Sequence, residues 1–193
     1  MTTQAMPAGP EWFGHPRGLF VCFATEMWER FSFYGMKYLL VLFLVQHHLF
    51  SDGEALRILG AYAALVYAMP LLGGIVSDRY LGQTKAVKLG GILLVLGHCA
   101  MAFEGTPATQ GIAGEVVRDD QAITVFYFAL ALIVVGVGLL KPNISTVVGR
   151  LYGENDQRRD GGFTIFYMGI NIGAASASLL CGWLASAYGW AYG

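Results

Sequence analysis

Charge is scarce in this chain of 193 residues. Only 13% of its residues are charged, against roughly 25% in a soluble domain, while 55% are hydrophobic and the mean hydropathy is +0.54. The 12 basic and 13 acidic side chains leave a net charge of −1, which argues against a nucleic-acid partner. The composition therefore predicts an all-α integral membrane protein whose surroundings are a lipid bilayer.

Several features of enzymes and secreted proteins are also missing. The three cysteines lie in separate apolar runs and indicate neither a disulfide framework nor a metal site. The sequence contains no phosphate-binding loop, no nucleophile elbow and no cluster of metal ligands, so we expect no enzymatic activity and no cofactor. Residues 1–16 lack the apolar core of a removable signal peptide, and we expect them to form a cytoplasmic tail.

Five apolar stretches are long enough to cross about 30 Å of hydrocarbon. We predict spans at 17–48, 54–78, 84–104, 121–150 and 162–187, with Asp52 capping the second helix. Glycine and alanine in the last two spans predict close helix packing, at Gly136, Gly138, Gly169, Gly173 and Ala177.

Basic residues predict the orientation of these spans. Two of them, Arg57 and Arg118, fall on the side opposite the N-terminus. Seven fall on the side of the N-terminus: Arg17, Arg79, Lys85, Lys88, Arg150, Arg158 and Arg159. This bias predicts a multi-pass protein of the plasma (inner) membrane with a cytoplasmic N-terminus.

The first span carries four ionisable side chains, which are Glu26, Glu29, Arg30 and Lys37. One charge at the centre of a membrane helix costs about 3 kcal/mol on insertion scales, so four require partners, water or a function. At 100° per residue all four fall within a stripe about 100° wide, which Tyr34 borders. Such a stripe predicts the wall of a polar cavity inside a helical bundle.

Lys141 is the only charge between Ala122 and Gly149, and Pro142 follows it. Proline kinks a helix and frees the carbonyl one turn earlier, here near Gly138. A lysine at this depth is either an ion-pair partner or a ligand contact. We expect it to pair with a carboxylate of the first span, so that protonation of the glutamate would release the lysine.

Two further residues are candidates for a ligand site. Lys37 lies about 16 Å along the helix axis from Glu26, too far for an ion pair, so we expect it to serve the substrate. Asn171 is an amide within an apolar span, and its position fits a helix–helix hydrogen bond and a substrate contact equally well.

Four motifs occur in order along the chain. Residues 26–35 resemble the E-x-x-E-R-F-x-Y-Y-G signature of proton-dependent oligopeptide transporters, a branch of the major facilitator superfamily. Residues 73–85 are similar to the cytoplasmic loop between helices two and three of that superfamily. Residues 138–143 and 163–173 resemble the family's motifs in helices four and five. The resemblance covers residues 15–193, with Phe33 in place of the first signature tyrosine and Lys37 where many members carry arginine.

The resemblance implies a fold of twelve helices, of which this chain would hold five in an incomplete N-terminal six-helix bundle, residues 17–193. It implies proton-coupled symport of di- and tripeptides by alternating access, with protons as the coupling ion and the C-terminal half as a partner. The implied proton-coupling residues are Glu26, Glu29, Arg30 and Lys141. The implied peptide-binding residues are Tyr34, Lys37, Tyr67, Lys141 and Asn171, and the implied conformational loop includes Asp78, Arg79, Gly82 and Lys85.

One alternative function remains compatible with the residues. The same fold could carry another solute such as nitrate, because a carboxylate-rich proton site serves any proton symporter.

Overall fold

The computed structural model describes residues 10–153 and 155–193. The first nine residues of the predicted cytoplasmic tail lie outside the described residues. Five long helices confirm the predicted all-α architecture: α1 (Arg17–Gln46), α2 (Asp52–Val76), α3 (Gln83–Met101), α4 (Asp120–Arg150) and α5 (Arg159–Tyr188). A π-helical turn, Ser77–Leu81, extends α2, and a 3-10 turn, Trp190–Tyr192, follows α5.

Four of these helices are long and apolar enough to cross a membrane, namely α2 with its π-helical turn, α3, α4 and α5. The helix α1 is also long, with 30 residues or roughly 45 Å, but it carries the four charged side chains. It packs along α5 and thus lies within the same bundle. The chain is therefore a multi-pass membrane protein.

Two short antiparallel hairpins lie at the ends of the bundle. The strands β1 (Glu11–Trp12) and β2 (His15–Pro16) precede α1, whereas β3 (Thr109–Gln110) and β4 (Val116–Val117) lie between α3 and α4. Arg158 holds the first hairpin to the α4–α5 loop, with Nη1 2.8 Å from Glu11 Oε1 and 3.0 Å from the carbonyl of Gly14.

Close helix packing at small residues is confirmed. The main contacts join α3 to α4, α1 to α5 and α2 to α4. A Cβ added at Gly136 would lie 2.9 Å from the carbonyl oxygen of Gly90 on α3. A Cβ added at Gly169 would lie 3.0 Å from the carbonyl oxygen of Phe23 on α1. The helix α4 lies at the centre of the bundle and holds most of the fully buried apolar side chains.

The cap of α2 differs from the prediction by one residue. Ser51, not Asp52, is the N-cap, because its hydroxyl accepts from the backbone N–H of Glu54 while the Glu54 carboxylate accepts from the backbone N–H of Ser51. This reciprocal pair is a capping box.

Candidate functional site

Three charged side chains of α1 form a buried cluster. Glu26, Glu29 and Arg30 are only 3%, 4% and 7% exposed. The Nε atom of Arg30 lies 3.1 Å from Glu26 Oε1 and 2.8 Å from Glu29 Oε2. One guanidinium therefore compensates two carboxylates, which leaves the cluster one positive charge short when both glutamates are ionised.

The carboxylates of this cluster are incompletely satisfied. Glu26 Oε2 and both oxygens of Glu29 are buried and accept no hydrogen bond from the described residues. A buried carboxylate with too few donors is costly when charged and less costly when it carries a proton. The cluster therefore holds more carboxylate oxygens than it has donors for among the described residues.

Lys141 does not form the expected ion pair in this structure. The four described ion pairs are Arg30 with each glutamate and Arg158 with Glu11 and Asp156, and Lys141 has none within 4.0 Å. Its ammonium instead lies over the ring of Tyr67, with Nζ 5.4 Å from the ring centroid. This contact is a cation–π interaction between α4 and α2, on a side chain that is half-buried.

Of the five predicted peptide-binding residues, two are exposed and three are half-buried. Tyr67 is 66% exposed. Tyr34 and Lys37 are half-buried, and the Tyr34 ring stacks against Tyr38 with centroids 6.4 Å apart. The polar stripe of α1 thus runs from the buried cluster towards accessible residues.

Asn171 is not the buried amide that its apolar span suggested. Its side chain is exposed, and Nδ2 donates to the carbonyl of Tyr167 in the same helix, 3.0 Å away. The contact explains how an amide is tolerated there, since it replaces a partner on another helix. Tyr167 itself is also exposed, at 54%.

The predicted conformational loop forms the π-helical turn and the start of α3. Asp78, Arg79 and Lys85 are exposed, and none is in a described ion pair. Gly82 ends the turn at φ +73°, a conformation that favours glycine, and its N–H donates to the carbonyl of Ser77 at 2.7 Å.

The sequence analysis did not predict a buried hydrogen bond between the end of α2 and α4. The Ser77 hydroxyl donates to Asn143 Oδ1 at 2.6 Å, and Asn143 Nδ2 donates to the carbonyl of Leu139 at 2.7 Å. Both side chains are buried, so this bond fixes the end of α2 against the part of α4 that follows Pro142. The sequence feature that could have indicated this bond is that Ser77 and Asn143 are polar residues within apolar stretches.

A cavity of about 270 Å³ lies elsewhere, between α1, α3 and α5. None of the predicted site residues lines it, and its walls include apolar side chains such as Met36, Leu40 and Phe43. We therefore assign the candidate site to the charged cluster and to an accessible extension, which we define as the side chains of Tyr34, Lys37, Tyr67, Lys141 and Asn171. Within the described residues, no group of three or more His, Cys, Asp or Glu side chains could hold a metal ion.

Known proteins with similar sequences are transporters. The chain is 42% identical over 198 residues to the peptide transporter YePEPT of Yersinia enterocolitica subsp. palearctica. The matched region covers all of this chain and 36% of that protein. It is 44% identical over 177 residues to a di-/tripeptide transporter of Lactococcus lactis subsp. lactis, covering 88% of this chain and 32% of that protein. The chain thus spans about a third of the length of these relatives.

Solved structures give the same result for the fold. The crystal structure of a mutant peptide transporter POT in complex with alafosfalin matches with a TM-score of 0.83 and 41% identity. The match covers 94% of this chain and 35% of that one. The five helices are therefore a major facilitator N-terminal bundle. The model of the POT family, PTR2, matches residues 84–193, which is more than half of the chain, and the chain accordingly belongs to the POT family.

Proposed function

We propose that this chain is part of a symporter that imports di- and tripeptides together with protons by alternating access. The observation that carries the proposal is the buried cluster of α1, in which Arg30 compensates two carboxylates and three carboxylate oxygens accept no described hydrogen bond. The named functions of the two transporter relatives support peptides as the substrate class.

Glu26, Glu29 and Arg30 then take part in proton coupling together with Lys141. In the described conformation Arg30 pairs with both glutamates and Lys141 faces Tyr67. Movement of α4 relative to α1 would bring the lysine to the carboxylates, and proton uptake there would release it again. Protons are the coupling ion, and no further cofactor is required.

The peptide occupies the accessible extension of the stripe. Tyr34, Lys37, Tyr67, Lys141 and Asn171 offer two cations for a peptide carboxylate, hydroxyl groups and an amide. A C-terminal half of the same transporter supplies the opposite wall. The loop with Asp78, Arg79, Gly82 and Lys85 lies on the cytoplasmic side with the N-terminus and acts in the conformational change.

Transport of nitrate is the alternative, and the relatives do not favour it, since their names specify peptides. The test is uptake of a labelled dipeptide by the full-length protein in liposomes. Unlabelled di- and tripeptides should compete fully, whereas nitrate at the same concentration should not. Competition by nitrate alone would overturn the peptide assignment.

A further inference from the structure

The hydroxyl of Tyr62 on α2 is buried and has no hydrogen-bond partner among the described residues. The side chain is 3% exposed and lies within the bundle core. A phenol usually finds a partner when it is buried, because the unpaired O–H loses its hydration. The alternative residue of the same shape, phenylalanine, would fill the space without this cost.

The Tyr62 ring lies beside the charged cluster. It stacks on Phe33 of α1, with ring centroids 6.3 Å apart and planes at 28°. Phe33 is one helical turn after Glu29 and therefore on the same face of α1. Because the Tyr62 ring stacks on Phe33, it lies next to the turn of α1 that follows Glu29.

Two unsatisfied groups thus occur on facing helices. Glu29 has two buried oxygens that accept no hydrogen bond, although Oε2 is in an ion pair with Arg30, and Tyr62 has one buried donor that makes no hydrogen bond to the described residues. Phe33, on which the Tyr62 ring stacks, stands where the signature that this sequence resembles has its first tyrosine. Position 33 of α1 therefore has no hydroxyl, while Tyr62 of α2, whose ring stacks on Phe33, has a hydroxyl without a partner among the described residues.

We propose that Tyr62 is a positioning residue whose hydroxyl donates to the Glu29 carboxylate when Arg30 releases it, replacing the hydroxyl that Phe33 lacks. This inference rests on the proposed proton coupling at Glu29. The other charged groups facing the site are Glu26 and Arg30 on α1 and Lys141 on α4. None of these is a neutral donor, whereas the Tyr62 hydroxyl can donate to the ionised Glu29 without adding charge.

The experiment compares variants of the full-length protein in liposomes. Tyr62→Phe should reduce proton-driven peptide uptake about tenfold, the effect of one lost hydrogen bond to a charged group. It should also move the pH profile of uptake upward by about one unit, because an ionised Glu29 without this donor binds its proton more readily. Peptide counterflow, which needs no net proton movement, should be retained and shows that the variant is folded.

The decisive variant restores the hydroxyl from the other helix. Phe33→Tyr combined with Tyr62→Phe should recover the wild-type pH profile. Tyr127→Phe is the matched control, since this tyrosine of α4 is 45% exposed, and it should leave uptake unchanged.

Three results would overturn the inference: a wild-type profile for Tyr62→Phe, a double variant no better than the single one, or loss of counterflow in Tyr62→Phe. Failure of the proposed function is distinguishable, since wild-type uptake would then be insensitive to a protonophore.

Discussion

At Arg30, one guanidinium nitrogen lies within 3.1 Å of carboxylates from both neighbouring glutamates. Arg30 remains charged at any accessible pH, so it is a fixed partner and not a proton carrier. Lys141 is the cation that can exchange partners, because it has none of these ion pairs and lies over an aromatic ring. In the proposed coupling, the residues that change state are therefore the glutamates and Lys141.

Replacing Lys141 tests this division of roles. Lys141→Ala should reduce gradient-driven uptake to background, because the carboxylates lose the mobile cation that expels their proton. Peptide counterflow should persist at a reduced level. Lys88→Ala is the control, since Lys88 is an exposed lysine on α3. Gradient-driven uptake at the wild-type rate in Lys141→Ala would exclude the role.

Lys37 should act on the substrate. It is half-buried and is in none of the described ion pairs. Lys37→Gln should weaken dipeptide binding about tenfold, the value of one charge-assisted contact, and leave the pH dependence of uptake nearly unchanged. Lys37→Arg should retain most of the affinity.

The measurement is binding competition between a dipeptide and its C-terminal amide. Wild type should prefer the free acid, and Lys37→Gln should lose that preference. A variant that still discriminates fully between the two ligands would show that another cation holds the peptide carboxylate.

Among the elements, the crossing of α2 and α4 depends on a glycine and a proline on opposite helices. Pro142 has no N–H, so the carbonyl of Gly138 is freed from its helical bond. A Cβ added at Gly73 would clash with that carbonyl oxygen. The freed carbonyl therefore packs directly against the backbone of α2.

Gly73→Ala should consequently destabilise the bundle by about 2 kcal/mol, as expected when a close contact is overpacked. The measurement is the midpoint of thermal unfolding in detergent. Gly60→Ala is the matched control on the same helix, because nothing lies within 4 Å of its added Cβ. Equal midpoints for the two variants would contradict the account of this crossing.

The connection between α1 and α2 should make stability depend on pH. His48 is fully buried in this loop, and burial lowers its pKa from 6.5 to about 4. His47, Arg118 and Asp119 face it, and Arg118 holds the loop through the carbonyls of His48 and Leu49.

The sign follows from proton binding. The unfolded chain binds a proton at His48 below about pH 6.5, whereas the folded chain does so only near pH 4, so stability is full above pH 6.5 and falls as pH drops towards 4. His48→Leu should unfold with a smaller pH dependence between pH 7.5 and 5.0. If the pH dependence of unfolding is the same in His48→Leu as in wild type, titratable groups other than His48 cause it.

The helices could be predicted from the sequence, but not all of the contacts between them. Hydropathy and charge are local properties, so the helices and the stripe with Glu26, Glu29 and Arg30 could be predicted from the sequence. Which cation would hold the carboxylates depends on side-chain geometry, and Arg30, one turn from Glu26, is nearer than Lys141 on another helix. The exposure of Asn171 and the bond from Ser77 to Asn143 likewise depend on how helices pack.

On the scale of the whole molecule, the described bundle leaves large apolar and aromatic surfaces uncovered. Leu71, Ile92, Phe128, Leu179 and Trp183 are among the exposed side chains, at 73%, 57%, 61%, 76% and 57%. Lipid covers such surfaces in a multi-pass membrane protein. Glu26, Glu29 and Arg30 of α1 are buried by contrast, so the charged cluster is shielded inside the bundle while apolar side chains face outward.

The central claim is that the buried glutamates couple peptide movement to protons. The most direct measurement is accumulation of a labelled dipeptide in liposomes that hold the full-length protein, with an acidic exterior and with or without a protonophore. We predict accumulation above the external concentration only while the gradient lasts, and its loss in Glu29→Gln, in which the side chain cannot be ionised. Accumulation that persists unchanged after the protonophore is added would contradict the account.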